Sequence, residues 1–180
     1  AMALKGPVLA ALAFEDLARR EFVDLDVLVR RRDVPEARET LLAENYQLRL
    51  GVGRSQEADY LDSVGQLQFL RDDGVLVELH SSLLRREYGV RLEDESLWEG
   101  VRQVSLLGQD VPTLAADMQI LFLALHGSRH IWNALKWICD LGGLLRTQPA
   151  SACSDAWQRA RTLRCERALL LALLLAQQIT

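Results

Sequence analysis

Apolar residues at Val8, Leu9, Leu12, Ala13 and Leu17 recur at helical spacing, and Pro7 stands where a first helical turn tolerates a missing N–H, so a helix is expected from Pro7. Only Ala1 to Leu4 precede it, too few for a full strand; the chain is expected to begin inside a longer protein and to lack the first strand of its core. Phe22-Val23-Asp24-Leu25-Asp26-Val27-Leu28-Val29 is an apolar, β-branched run broken by two acids at alternate positions. It predicts a buried strand whose acids share one face. Arg30 to Arg32 leave the sheet, and Asp33, with Glu36 three residues on, is placed to cap a helix with the apolar stripe Ala37, Leu41 and Leu42. After a loop holding Gly51 and Gly53, Gln66 to Leu70 alternates, Asp72-Asp73-Gly74 turns, and Val75 to His80 alternates again. This is the pattern of a hairpin, with Leu76, Glu78 and His80 on one face of its second strand.

From Thr113, an expected N-cap, the periodicity turns helical through Leu114, Met118, Leu121, Phe122 and Leu125 to His126 and His130, then from Trp132 to Leu145. Two more helices are expected, with a break at Pro149 before Asp155 and a leucine-rich helix running to Thr180. No internal repeat interrupts this order. The fold class read from it is α+β: a sheet with flanking helices over residues 1–112, then a helical C-terminal subdomain over 113–180, expected to be truncated.

Composition narrows the function. The 180 residues are 49% hydrophobic and 26% charged, the balance of an ordinary globule rather than a disordered chain. The longest apolar run, Ala168 to Ala176, falls well short of the roughly 20 residues that span a bilayer, so no membrane partner is expected. A net charge of −4 argues against an extensive nucleic-acid surface. Cys139, Cys153 and Cys165 stand far apart without zinc-type spacing, and no secretory leader opens the sequence; a reducing cytoplasm is the expected compartment.

Asp24-Leu25-Asp26 is the most informative feature. Burying carboxylates costs several kcal/mol unless they are paired, hydrogen-bonded or bound to a cation, and a divalent metal is an economical reason for two on one face. Mg²⁺ binds one or two carboxylates together with substrate phosphates. The plainer reading is a strand end whose acids are solvated or paired with Arg20 and Arg30. Glu78 would complete a three-acid cluster if its strand pairs with the first; otherwise it faces solvent on an edge strand. His80 is either a substrate-side contact on that face or a satisfied strand-end histidine. Lys5-Gly6 at a helix start offers backbone N–H groups, a positive dipole end and an ammonium to phosphate, although no Walker pattern is present.

His126 and His130, four residues apart, have a spacing able to hold a transition metal, but Gly127 stands where a metalloprotease has glutamate. Their alternative is a polar helix face beside a cleft. Trp132 and Trp137 read as packing residues or as a base-stacking platform, and Lys136 and Arg129 as phosphate contacts. Asp140 is expected to pair with one of the two histidines or with Arg146.

The order of these parts resembles the polymerase-beta-type nucleotidyltransferase core. Leu4-Lys5-Gly6, Arg20, Asp24-Leu25-Asp26-Val27-Leu28-Val29, Val77-Glu78-Leu79-His80, then His126, His130, Trp132, Trp137 and Asp140 resemble a family of uncharacterised bacterial nucleotidyltransferases in which L-K-G replaces the usual glycine-serine signature. Pro7 stands where the wider superfamily has that serine, removing a hydroxyl and a backbone donor.

The resemblance implies that Asp24, Asp26 and Glu78 are the catalytic and metal-binding acids, holding two Mg²⁺ ions, or Mn²⁺ in their place. It implies a nucleoside triphosphate bound by Lys5, Gly6, Arg20, His80, His126, His130 and Lys136. The implied reaction moves a nucleoside monophosphate from the triphosphate to an acceptor hydroxyl on a small molecule, a protein or an RNA end. Two competing readings stand beside it: a degenerate fold that binds nucleotide or protein without turnover, motivated by Pro7, and a metallohydrolase built on His126 and His130.

Overall fold

The computed structural model describes residues 1–49, 56–83 and 95–179; the expected glycine loop at Gly51 and Gly53 lies outside them. In chain order the elements are β1 (Met2–Ala3), α1 (Pro7–Phe14), a 3-10 turn (Leu17–Arg19), β2 (Asp24–Leu28), a second 3-10 turn (Arg31–Asp33), α2 (Val34–Ala43) and β3 (Gln47–Leu48). They continue as α3 (Glu57–Val64), β4 (Gln66–Leu70), β5 (Leu76–His80), α4 (Ser96–Glu99), β6 (Arg102–Leu106), β7 (Gln109–Thr113), α5 (Ala116–Arg129), α6 (Leu135–Thr147), α7 (Ala150–Thr162) and α8 (Glu166–Gln177).

One mixed sheet carries the strands in the order β3-β4-β5-β2-β1-β7-β6. The expected hairpin is β4–β5, antiparallel with Gln68 opposite Glu78. The strand of the two acids, β2, lies parallel to β5 in the middle of the sheet. Alternation then sorts the side chains. Leu67, Phe69, Val77 and Leu79 form a small core with Val34 of α2 and Leu61 of α3. Glu78 and His80 therefore point to the opposite side of the sheet. There a larger core joins Met2, Leu4 and Leu9 to Leu121 of α5, Leu141 of α6, Ala156 of α7 and Leu169 of α8. Among the described residues, no helix is long and apolar enough to cross a membrane.

The structure differs from the sequence reading in several places. Ahead of α1, in a stretch too short for a full strand, Met2–Ala3 form a two-residue one that pairs antiparallel with Leu28 and Val27 of β2, while Ala3 meets Thr113 of β7. Thr113 is therefore not a helix cap: its hydroxyl donates to the Ala3 carbonyl at 2.6 Å, and α5 begins at Ala116. Asp33 makes no capping bond, because it already sits in a helical turn (φ −93°) whereas a capping side chain needs an extended backbone. Phe22 and Val23 precede β2 and are exposed. Trp132 lies in a tight turn, and the helix after it starts at Leu135. Pro149 does end α6, but α7 starts directly after it and contains Asp155.

Candidate active site

Asp24 and Asp26 come from β2, Glu78 and His80 from β5, and the parallel register sets Asp26 beside Glu78 and Leu28 beside His80. Glu78 is thus on a central strand, not an edge. Asp26 is 2% exposed. Its Oδ1 receives the Lys5 Nζ at 3.0 Å and lies 3.0 Å from His80 Nε2. The same Nε2 stands 3.6 Å from Glu78 Oε2, and Gln68 Nε2 donates to Glu78 Oε1 at 2.7 Å. The other Asp26 oxygen, Oδ2, is buried and has no partner. One ligand atom from each of Asp26, Glu78 and His80 falls within 4.8 Å of the others, the spacing of a metal-binding group. Asp24 lines the same cleft but stands outside that group. Neither acid pairs with Arg20 or Arg30, which bond to Asp140 and Glu95 instead.

Charge explains why this floor stays ionised. Burial opposes the Asp26 carboxylate, but the His80 hydrogen bond and the Lys5 ammonium outweigh it and hold its pKa down at about 2. Burial also opposes a charged His80, and there the bonds to Asp26 and Glu78 win, raising its pKa. The His80 bond lowers Glu78, helped by Gln68. Asp24 behaves oppositely: burial, and then the neighbouring Asp26 charge, raise its pKa.

The Lys5–Gly6 turn is anchored from three sides. Leu4 N donates to the Asp26 carbonyl at 3.0 Å, and Gln119 Nε2 of α5 donates to the Leu4 carbonyl at 2.8 Å. Thr113 holds Ala3. Gly6 adopts φ 61°, ψ −130°, a conformation other residues avoid, and a Cβ there would stand 3.4 Å from the Asp24 carbonyl. Gln119 escaped the sequence reading, and Thr113 was read as a helix cap rather than as this anchor. Gln119 is fully buried among the apolar residues of α5, and nothing in the sequence names its distant partner.

The floor opens into a cleft of about 290 Å³, lined below by Lys5, Arg20, Asp24, Asp26, Glu78 and His80. His126, Arg129 and His130 of α5 and its C-terminal cap, with Lys136 and Trp137 of α6, form its other wall. Gly6 shapes the turn behind Lys5 and is not part of the lining. The rings of His126 and His130 lie 4.7 Å apart between centroids; Trp137 stands edge-on to His126 at 5.7 Å and tilted over His130 at 4.8 Å. Burial, with Lys5 and His130 nearby, pushes the His126 pKa down to about 2. Among the described residues, neither α5-side histidine joins a group of three metal-ligating side chains. Trp132 packs partly buried against the large core, so only Trp137 faces the cleft. Asp140 pairs with neither histidine nor Arg146: it receives Arg20 Nε at 2.8 Å and Nη2 at 3.0 Å.

A mixed sheet whose adjacent parallel strands present D-x-D and a third carboxylate, beside a glycine turn opening a helix, has the form of a nucleotidyltransferase. The chain belongs to the family described as "Uncharacterised nucleotidyltransferase", which matches residues 1–180. Among solved structures it is similar to the lincosamide antibiotic adenylyltransferase LnuA in its lincomycin-bound form, with 11% identity, 82% of this chain and 86% of that one covered, and a TM-score of 0.50. It is also similar to an antigenic nucleotidyltransferase-like protein from Paracoccidioides brasiliensis, with 13% identity, coverage of 95% and 84%, and a TM-score of 0.45. At 11% identity the likeness to LnuA is one of fold. Among curated proteins, none matches the chain in sequence.

Proposed function

We propose that the chain transfers a nucleoside monophosphate from a nucleoside triphosphate to an acceptor hydroxyl, with Mg²⁺ held by Asp24, Asp26 and Glu78. One observation carries this reading: the buried, partnerless Oδ2 of Asp26 beside Glu78. A carboxylate oxygen shut away from water without a donor is costly, and a hard cation with oxygen ligands fits it. When bound, Mg²⁺ would supply charge neutralisation at the phosphates, activation of the acceptor hydroxyl and stabilisation of the departing pyrophosphate.

The chain's own residues do the positioning. Lys5 and the anchored Gly6 turn present an ammonium and the N-terminal end of α1 to the triphosphate. Arg20 adds a second cation from the cleft floor. His80 keeps Asp26 and Glu78 oriented, and the wall of His126, His130 and Trp137 offers an aromatic surface to a base, with Lys136 beside it. In this reading residues 1–112 form the nucleotide-handling core and 113–180 the subdomain that closes the cleft.

Calorimetry with each of the four ribonucleoside triphosphates, with and without Mg²⁺, tests the proposal. Metal-dependent binding of at least one of them, lost in Asp26→Asn, is expected. Failure of all four to bind defeats it, and binding without any pyrophosphate release in the presence of candidate acceptors favours the non-catalytic alternative.

A further inference from the structure

Asp140 is a buried acid in the middle of α6, and its one partner among the described residues is Arg20, 120 positions earlier. The pair is bidentate, with the two side chains 10% and 3% exposed. Such a pair adds little to stability that well-packed apolar residues would not also give, because each charge must be stripped of water first. What it fixes is direction. Asp140 takes the Nε and one Nη2 proton of the guanidinium fork; the three remaining N–H donors have no partner among the described residues, and Arg20 lines the cleft that holds Lys5, Asp24 and Asp26.

The position of Asp140 is itself fixed. Helix α6 lies so close to α1 that a Cβ at Gly143 would sit 2.8 Å from the Ala13 carbonyl, and Leu141 and Leu144 are fully buried in the large core. Helix α1 begins at the Gly6 turn. The element that carries Asp140 is therefore docked against the element that presents the phosphate-binding turn, so Arg20 is held in register with Lys5.

We propose that Asp140 is a positioning residue that aims the Arg20 guanidinium at a phosphate oxygen of the bound triphosphate. This rests on the nucleotidyl-transfer reading. A planar fork with one edge clamped by a carboxylate presents its other edge as a ready two-point donor for phosphate, whereas an unclamped arginine must be ordered on each binding event. The proposal adds a residue from the helical half to the nucleotide site and makes its effect specific to the phosphate portion of the ligand.

The test uses the full chain and three probes: Mg-ATP, Mg-tripolyphosphate and adenosine. Calorimetry and thermal unfolding are measured for the unaltered protein, Asp140→Asn, Arg20→Lys, and the exchanged pair Arg20→Asp with Asp140→Arg. Asp140→Asn is expected to weaken Mg-ATP and Mg-tripolyphosphate by the same factor, about tenfold, the scale of one oriented charge-assisted bond, and to leave adenosine unchanged. The exchanged pair is expected to recover thermal stability but not phosphate affinity, because a carboxylate then stands at the cleft. If Asp140→Asn does not fold, Asp140→Glu decides: its longer carboxylate keeps the ion pair but shifts the guanidinium fork, and unchanged phosphate affinity in it overturns the positioning role. Unchanged phosphate affinity in Asp140→Asn, or recovered affinity in the exchanged pair, overturns the positioning role and leaves a structural tie. Absence of binding of all four Mg-nucleoside triphosphates by the unaltered protein overturns the nucleotidyl-transfer reading first.

Discussion

The cleft is built from two unlike walls, and each holds a histidine, His80 buried and His126 half-buried. On the strand floor His80 touches two carboxylates and its pKa rises; on the helical wall His126 touches aromatic rings, and burial with the nearby positive charge of Lys5 brings its pKa down to about 2. Burial drives an imidazole toward neutrality, and it prevails at His126 whereas the carboxylate partners of His80 overcome it. The floor is a charge-compensated cluster in which Lys5 and His80 neutralise Asp26 and Glu78. The wall sets aromatic rings beside the cations Arg129 and Lys136. In the proposed reading, an anionic ligand carrying a flat base would meet both: the acids and an ammonium at one end, rings at the other.

The largest expected effect breaks the floor. Asp26→Ala strands Lys5 and His80 without their shared carboxylate and should cost about 3–5 kcal/mol in urea unfolding. The same change should weaken metal-dependent nucleotide binding by more than the roughly hundredfold typical of losing an outer-sphere metal contact. A stability change within error would show that the cluster is not compensated as described. Next comes the turn that carries Lys5: Gly6→Ala forces a side chain into φ 61° and should cost about 1–3 kcal/mol by thermal unfolding.

Proton linkage sharpens the contrast between the walls in metal-free protein. The raised His80 pKa contributes stability that is full below the unfolded value of about 6.5 and is lost as pH rises through its folded value. The depressed His126 pKa contributes stability that is full above about 6.5 and is lost as pH falls below it, because the unfolded chain then takes up a proton that the folded one refuses. Ring resonances followed by NMR should therefore show His126 neutral at pH 5 and His80 still protonated above pH 6.5. Two histidines moving in the same direction would erase the distinction. The smallest effect is at the anchor: Thr113→Val removes one buried hydroxyl donor to Ala3 and should cost about 1 kcal/mol.

Local periodicity made the floor readable. The acids of β2 alternate within an apolar run, and β4–β5 is a hairpin of period two with a turn between its strands, so the strands and the faces of Asp24, Asp26, Glu78 and His80 follow from side-chain alternation. The β6–β7 hairpin carried a similar signal, with Val104 buried between the more exposed Gln103 and Ser105 and a turn at Leu107-Gly108. Pro112 hid it, since proline lacks the N–H a strand interior requires; the sheet tolerates it because β7 meets β1 only at Thr113. The Arg20–Asp140 pair and the Gln119 anchor were not legible. Periodicity reports which face a residue takes, not which distant element that face meets.

Manganese binding followed by electron paramagnetic resonance, in the presence of each of the four nucleoside triphosphates, tests the central claim most directly. The account predicts bound Mn²⁺ in the unaltered chain that is released in Asp26→Asn and in Glu78→Gln. A spectrum with the unaltered chain that does not differ from that of Mn²⁺ and nucleotide alone for any of the four nucleoside triphosphates, or the same protein-bound signal in both variants, would contradict it.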